Sequence, residues 1–332
     1  MARALITGST GFLGKHLVET LLREEPELRL RLLCRGEGPP VESDHIEIVR
    51  GDVLDADSVK SAAEGCSRIY HLAGVVSRNP EQPWRQFEVH VEGTRHVCEA
   101  MAELETEKAV VVSSSGTFAV GKEPEERDET APYAQSVVWD WPYYTSKIYA
   151  EKLALWYVEH RKLPIVVVNP SLLLGPGDER RSSTRDVELF LEGQILSLPA
   201  GGLNLVDVRD AARGLMLAME KGRVGERYLL TGANMTFHEW IRRTSKLSGL
   251  PAPKVMLPPA AASLGAKALR TLYPLVGKEF KMDDASIRMS GLFWYCNSEK
   301  ARRELGFTTR PPDETLRDTI EYLRGQARAS AA

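Results

Sequence analysis

A glycine-rich turn between the first apolar run and the first helical pattern constrains this chain more than any other feature. The run RALIT at residues 3–7 predicts a buried strand, and FLGKHLVETLLREE from residue 12 predicts an amphipathic helix. The turn TGSTGFLG between them allows a tight bend, close approach of a pyrophosphate and close packing of helix on strand. A purely structural turn is the alternative. We predict a dinucleotide site formed by Gly8, Thr10, Gly11, Phe12, Leu13 and Gly14.

The first half of the chain continues this alternation of strands and helices. The apolar runs LRLRLL, HIEIV, RIYHL, KAVVV and LPIVVVNP predict five further strands, most of them separated by helical patterns. Such alternation implies crossover connections and therefore a doubly wound parallel α/β sheet with helices on both faces. Beyond residue 175 the pattern changes to glycine- and proline-rich loops and isolated helices, one of which opens with the capping-box pair Thr236 and Glu239.

The 332 residues leave room for about two domains. We predict a dinucleotide-binding domain over residues 1–175 and a smaller lobe, mainly substrate-binding, over residues 176–325. Some segments of this lobe can return to the main sheet. Residues 326–332 are predicted to form a flexible tail.

Composition excludes several other classes of protein. Forty-three basic and forty-six acidic residues give a net charge of −3 without long blocks of one sign, which argues against a nucleic-acid partner. Four dispersed cysteines without a C-x-x-C pair predict reduced thiols and no metal site. The N-terminus lacks a signal-peptide core, and the longest apolar candidate, residues 257–276, is interrupted by Lys267 and Arg270. We therefore expect a cytoplasmic protein without a membrane partner.

The residues after the second and third strands bear on the choice of cofactor. In a dinucleotide fold an acid about 20 residues after the last glycine binds a ribose 2′-hydroxyl, whereas an arginine accommodates a 2′-phosphate. Here that position holds Cys34 and Arg35, which favours NADP(H) over NAD(H). The alternative is that Arg35 is only solvated. Asp52 and Val53 are predicted to lie by the adenine, although Asp52 could instead cap the next helix.

Tyr143 and Lys147 are candidates for acid-base chemistry. Pro142 suits the first turn of a helix, on which residues four apart share a face. A phenol is a weak acid-base catalyst at neutral pH, but a nearby ammonium lowers its pKa. The hydroxyls of SSSGT, residues 113–117, follow a strand at the ligand-binding edge of such a sheet. The alternative for Tyr143 and Lys147 is an exposed helical pair without function. The alternative for the hydroxyls is a structural turn.

Six motifs in order resemble the extended short-chain dehydrogenase/reductase superfamily, especially its dihydroflavonol 4-reductase-like and NAD-dependent epimerase/dehydratase branch. They are TGSTGFLG, Gly51-Asp52-Val53, His71-Leu72-Ala73-Gly74, SSSGT, YYTSK and Asn169-Pro170-Ser171. The resemblance covers about residues 1–325 and implies a Rossmann-like fold.

This resemblance implies roles for individual residues. Tyr143 would be the acid-base catalyst, and Lys147 would bind the nicotinamide ribose and lower the pKa of the tyrosine. Ser115 would be the hydroxyl partner, with Ser114 and Thr117 as alternatives. Further cofactor contacts would come from Leu72, Ala73, Gly74, Pro170 and Ser171.

Departures from the superfamily's pattern narrow the range of activities that we predict for this chain. His90 stands where asparagine is frequent, and we expect it to be buried and hydrogen-bonded. The segment 116–118 lacks the Asp-Glu of sugar dehydratases, and the segment 166–168 lacks the arginine of many nucleotide-sugar epimerases. Tryptophans near Tyr143 and the aromatic segment 292–295 fit an apolar or aromatic substrate, or ordinary core packing. These tryptophans are Trp139, Trp141 and Trp156.

We therefore predict an NADP(H)-dependent oxidoreductase that reduces a ketone or aldehyde to an alcohol, or catalyses the reverse. An NAD-dependent sugar-nucleotide epimerase and a non-catalytic dinucleotide sensor are the alternatives. Tyr143 and Lys147 argue against the sensor, which needs neither.

Three further expectations concern surfaces. The resemblance implies a homodimer that pairs the helices of about residues 84–104 and 142–160, where Leu153, Trp156 and Tyr157 need cover. Arg180, Arg181 and Arg185 could steer an anionic substrate, or Asp178, Glu179 and Asp186 could neutralise them. The apolar region Ala260–Val276 could form a hydrophobic entrance, rest on a membrane surface or be an ordinary buried helix.

Overall fold

A computed structural model describes residues 2–76, 83–104, 106–255 and 284–331, together with residues 265, 268 and 271. The strands in this part of the chain are β1 (Arg3–Thr7), β2 (Arg29–Cys34), β3 (Ile46–Arg50), β4 (Arg68–His71), β5 (Lys108–Val112), β6 (Ile165–Pro170), β7 (Leu172–Leu174), β8 (Gly202–Asp207), β9 (Arg227–Leu230) and β10 (Ala233–Thr236). The α-helices there are α1 (Phe12–Glu24), α2 (Ala56–Ala63), α3 (Pro83–Phe87), α4 (Gly93–Glu103), α5 (Gln135–Val138), α6 (Pro142–Arg161), α7 (Arg185–Leu191), α8 (Val208–Lys221), α9 (Phe237–Ser248), α10 (Asp284–Met289), α11 (Glu299–Leu305) and α12 (Pro312–Ala331). A π-helical turn (Glu88–Glu92) joins α3 to α4, and a 3₁₀ turn (Ser115–Thr117) follows β5.

The main sheet has seven parallel strands in the order β3-β2-β1-β4-β5-β6-β9. The predicted doubly wound parallel sheet is therefore confirmed, and β9 adds a seventh strand to the six predicted. The strand order changes direction between β1 and β4, and doubly wound sheets bind ligands at such a switch point, outside the carboxyl ends of their strands.

Apolar side chains cover both faces of this sheet. In β6 the residues Ile165, Val166, Val167 and Val168 are all fully buried, because alternate side chains enter opposite layers. Val166 and Val168 pack in the layer of α1 and α8, whereas Ile165 and Val167 pack in the layer of α2, α4 and α6. This two-sided burial explains the unbroken apolar run in the sequence.

The second lobe is built on a smaller sheet of order β10-β8-β7. Its core combines α7, α9 and α12 around Trp240 and Leu316. The N-cap half of the predicted capping box is present, since Thr236 Oγ1 accepts a hydrogen bond of 3.1 Å from the Glu239 backbone N–H, while the Glu239 carboxylate accepts from Arg243. Between the two sheets, α8 and β9 return to the main sheet, so the chain boundary at residue 175 does not separate the lobes completely.

The sequence led to expectations about the C-terminal tail, the apolar region Ala260–Val276 and membrane-spanning helices. Helix α12 continues through most of the predicted tail, to Ala331. The apolar region Ala260–Val276 lies outside the described residues, apart from residues 265, 268 and 271. Within the described part of the chain, no helix has both the length and the apolar character needed to cross a bilayer.

Candidate active site

The turn after β1 has the geometry of a pyrophosphate cradle. Gly8 has φ +76°, and a Cβ there would lie 2.7 Å from the Ala73 nitrogen. A Cβ at Gly14 would lie 2.2 Å from the Gly8 carbonyl oxygen, so helix and turn could not pack as they do. No side chain caps α1 at Gly11, and its first N–H groups remain available to an anion. These residues fit a dinucleotide.

One cavity of about 1590 Å³ extends from this turn into the second lobe. It brings together most of the predicted cofactor and catalytic residues: Gly8, Thr10, Gly11, Phe12, Leu13, Gly14, Arg35, Leu72, Gly74, Ser115, Tyr143, Lys147, Pro170 and Ser171.

Ala73, Asp52 and Val53 do not line this cavity. The Ala73 N–H donates to Thr7 Oγ1 at 3.3 Å. Asp52 accepts a hydrogen bond from the Leu54 N–H at 3.1 Å. The Val53 carbonyl lies 2.8 Å from Nδ1 of His96, a residue of α4. Since Asp55 caps α2, Asp52 closes only the turn before that helix.

The first two turns of α6 carry Tyr143 and Lys147. Lys147 is 7% exposed, and its Nζ donates to the Val112 carbonyl at 2.9 Å. Burial lowers the pKa of Lys147 to about 8. Burial also raises the pKa of Tyr143 to about 12, and the Ser114 hydroxyl opposes that rise. The phenol is therefore protonated at neutral pH in this structure.

The hydroxyls that follow β5 have different partners. The Ser114 hydroxyl lowers the pKa of Tyr143, whereas the Ser115 hydroxyl lowers the pKa of the Cys296 thiol. Ser114 still has extended backbone (φ −152°, ψ 145°), and the 3₁₀ turn starts only at Ser115. This change of conformation directs successive side chains to different neighbours. Ser114 and Ser115 both line the cavity, so both remain candidates for the hydroxyl partner of Tyr143.

A buried carboxylate lies under this turn. Glu151 is 1% exposed and accepts hydrogen bonds from Ser113 Oγ at 2.6 Å and Asn169 Nδ2 at 2.8 Å. Its other oxygen lies 3.2 Å from the Tyr133 hydroxyl and 3.4 Å from Arg227 Nη1. Glu151 was not among the residues predicted from the sequence. Its spacing of four from Lys147, on the face that already carries Tyr143, was the available signal.

Aromatic side chains form the wall of the cavity beside Tyr143. The ring centroid of Tyr144 lies 5.0 Å from that of Trp294, and Trp141 lies 6.1 Å from Trp294. A Cβ at Gly116 would lie 2.3 Å from the Tyr144 ring, so glycine permits this contact.

Two of the predicted tryptophans are not part of this wall, since Trp139 is 71% and Trp156 47% exposed and neither lines the cavity. Trp156 lies 13 residues after Tyr143 on α6, a distance of about 20 Å along a helix. Its indole stacks instead on His160.

The positive charge of the cluster formed by Arg180, Arg181 and Arg185 is largely neutralised. The acid that mainly does so is Glu188, which is not one of the acids predicted from the sequence. Glu188 pairs with both Arg181 at 3.0 Å and Arg185 at 3.2 Å. Glu179 pairs instead with Lys15 at 2.6 Å. Arg180 lines the cavity without an ion pair to any described residue.

The parallel sheet, the open glycine turn and the tyrosine-lysine pair on α6 define the class of extended short-chain dehydrogenase/reductases, which are NAD(P)-dependent enzymes. The sequence profile of the NAD dependent epimerase/dehydratase family matches residues 4–230. The chain belongs to this family, and the predicted resemblance is confirmed.

Individual relatives match over most of their length. The sterol demethylase protein B of Methylococcus capsulatus is 30% identical over 329 residues, 96% of this chain and 98% of that protein. Cinnamoyl-CoA reductase 1 of Oryza sativa subsp. japonica is 32% identical over 261 residues, 73% of this chain and 75% of that protein. The crystal structure of gox2253 superposes with a TM-score of 0.84 at 31% identity, covering 99% of both chains.

Proposed function

We propose that this enzyme is an NADP(H)-dependent carbonyl reductase for apolar or aromatic ketones or aldehydes, and that it can run in reverse as an alcohol dehydrogenase. The observation that carries the proposal is that Tyr143 and Ser114, whose hydroxyl lowers the pKa of the phenol, both line the cavity beside its aromatic wall. A protonated phenol and a hydroxyl together can hold and protonate a carbonyl oxygen.

Each side chain has one task in this proposal. The dinucleotide, when bound, supplies the hydride that adds to the carbonyl carbon. Tyr143 donates its phenolic proton to the carbonyl oxygen, so hydride and proton together give the alcohol. Ser114 orients that oxygen through its hydroxyl. Lys147 would hold the nicotinamide ribose, and its ammonium would stabilise the phenolate that Tyr143 leaves behind.

The pKa of Tyr143 favours the direction of reduction. At about 12 it keeps the phenol protonated at neutral pH, and reduction requires a proton donor. Oxidation requires the phenolate as a base. Burial makes the phenolate scarce in the free enzyme, and the positive charge of a bound oxidised cofactor would make it less so.

A substrate panel tests this function. Aliphatic ketones of increasing length, aromatic aldehydes and ketones, and sugar nucleotides are each offered with NADPH and with NADH, and cofactor consumption is followed by absorbance. We expect turnover to increase with the apolar size of the carbonyl compound. Turnover confined to sugar nucleotides, with NAD retained through purification, would establish the epimerase instead. Tight dinucleotide binding without turnover of any compound would favour the sensor.

Arg35 is proposed to select NADP(H). Its side chain is exposed, lines the cavity and makes no hydrogen bond or ion pair with a described residue. Glu37 also lines this end, so the selection is a balance of charges. Arg35→Asp should lower the affinity for NADPH relative to NADH by roughly five- to 150-fold, as loss of a charge-assisted pair implies. Fluorescence titration with both cofactors measures this ratio, and an unchanged ratio would mean that Arg35 only faces solvent.

We also propose a homodimer through α3 and α6. Trp84 is 65%, Trp156 47% and Tyr149 46% exposed on these helices, an aromatic surface that pairing would cover. Tyr157, in contrast, is already buried within its own chain. Sedimentation at micromolar concentration should give twice the 36.9 kDa chain mass. Trp156→Glu should shift the enzyme toward the single chain, and a wild-type protein that already sediments as one chain would contradict the proposal.

A further inference from the structure

A buried histidine links the loop after β4 to the catalytic helix α6. His90 is 1% exposed and lies in the π-helical turn Glu88–Glu92. Its Nε2 lies 3.0 Å from the Val75 backbone nitrogen, and its Nδ1 lies 2.8 Å from Ser146 Oγ. The ring also meets Tyr143 edge to face, with 5.6 Å between centroids. The expectation that His90 is buried and hydrogen-bonded is therefore confirmed, and π-turns frequently occur at functional sites.

The directions of these hydrogen bonds define one neutral tautomer of His90. The Val75 N–H can only donate, so Nε2 is an acceptor and carries no hydrogen. Burial lowers the pKa of His90 well below its usual value, and the one ring hydrogen therefore resides on Nδ1. Nδ1–H donates to Ser146 Oγ, which in turn donates to the Tyr143 carbonyl at 2.9 Å. One imidazole thus connects the loop to the backbone of the tyrosine.

The loop held by His90 faces the cofactor end of the cavity. Gly74, next to Val75, lines the cavity, and a Cβ there would lie 3.1 Å from His90 Nε2 and 3.5 Å from Lys147 Nζ. The ring therefore supports the loop directly beside the buried ammonium. On the other side of Gly74, Ala73 is held independently through Thr7.

A second neutral histidine extends the same network. His71 Nδ1 lies 2.8 Å from Thr7 Oγ1, and its Nε2 lies 3.2 Å from Thr94 Oγ1. Thr94 donates to the His90 carbonyl at 2.6 Å, so it accepts from His71. Burial lowers the pKa of His71 to about 3, which keeps this ring neutral as well. The network therefore stays in one arrangement through the neutral pH range.

From this geometry we propose that His90 is a positioning residue with two separable tasks: Nε2 holds the cofactor-side loop, and Nδ1–H holds the first turn of α6 that carries Tyr143. The inference rests on the proposed function, which places the cofactor beside Gly74 and the chemistry at Tyr143. The two hydrogen bonds leave from different nitrogens and can therefore be removed one at a time.

Two substitutions separate these tasks. His90→Asn keeps an amide N–H near the position of Nδ1 but leaves the Val75 N–H without an acceptor. It should weaken NADPH binding about three- to tenfold and speed deuterium exchange at Val75, while kcat changes less than about twofold. His90→Gln keeps an acceptor near Nε2 but removes the donor to Ser146. It should leave NADPH affinity within about twofold and lower kcat on the best panel substrate about three- to tenfold.

Ser146→Ala is the matched control, because it removes the second hydrogen bond from the other side. It should reproduce the NADPH affinity and the kcat of His90→Gln. Melting temperatures of all three variants are measured, so that a general loss of structure is not taken for a loss of positioning. If His90→Asn does not fold, the comparison of His90→Gln with Ser146→Ala decides, and a clear disagreement between these two variants overturns the inference.

Equal NADPH dissociation constants in the folded Asn and Gln variants would overturn the assignment of Nε2 to the loop. Unchanged exchange at Val75 in His90→Asn would do the same. If the wild-type enzyme reduces no carbonyl compound, the proposed function fails, but NADPH titration and Val75 exchange still decide the role of His90. The two failures are therefore distinguishable.

Discussion

Replacing Tyr143 by phenylalanine is expected to lower turnover by about 10²-fold or more while NADPH affinity stays nearly unchanged. The substitution removes the phenolic proton and keeps the ring, which packs edge to face against His90 and Tyr144. The loss should fall on kcat rather than on cofactor binding, because proton donation matters only as the carbonyl is reduced. Steady-state kinetics on the best panel substrate and NADPH titration measure the two quantities.

Tyr149→Phe is the matched control, since Tyr149 lies on the same helix with 46% of its surface exposed. It should turn over like the wild type. Serine variants refine the assignment: Ser114→Ala should lower kcat clearly more than Ser115→Ala, because the Ser114 hydroxyl lowers the pKa of the phenol and the Ser115 hydroxyl acts on the Cys296 thiol instead. Near-normal turnover by Tyr143→Phe would mean that another group donates the proton.

Replacing Glu151 by leucine is expected to lower the free energy of unfolding by about 3–5 kcal/mol, the range for breaking a buried ion pair. The substitution leaves Arg227 without its carboxylate and removes the acceptor of Ser113 and Asn169. Since Ser113 precedes Ser114 in the turn, kcat should fall as well. Urea denaturation of the folded enzyme measures the stability, and the panel substrate measures the turnover.

Two comparisons separate the charge of Glu151 from its shape. The double variant Glu151→Leu with Arg227→Leu should recover part of the lost stability, because it no longer leaves an unpaired buried charge. Glu159→Gln, at an exposed position on the same helix, should unfold like the wild type. If Glu151→Leu unfolds at the wild-type urea concentration, Glu151 does not organise the site.

The parts of the fold that follow local rules were predictable from the sequence. Strand-helix alternation indicated the parallel sheet, and the glycine turn indicated where its ligand edge begins. The helix bearing Tyr143 was expected to end at about residue 160, and α6 ends at Arg161. The strand β9 was missed, because its four residues give too short an apolar run and its partner β6 lies far away in sequence.

The sequence alone determined which chemical groups this protein has and on which elements they lie. Gly8 needs positive φ and Tyr143 shares a helix face with Lys147, and both properties follow from local backbone geometry. Tertiary structure decided which groups meet. The contacts that hold Glu151 under the serine turn and fix the His90 tautomer join residues 15 to 56 positions apart. Such contacts depend on how strands and helices pack, and no local pattern specifies them.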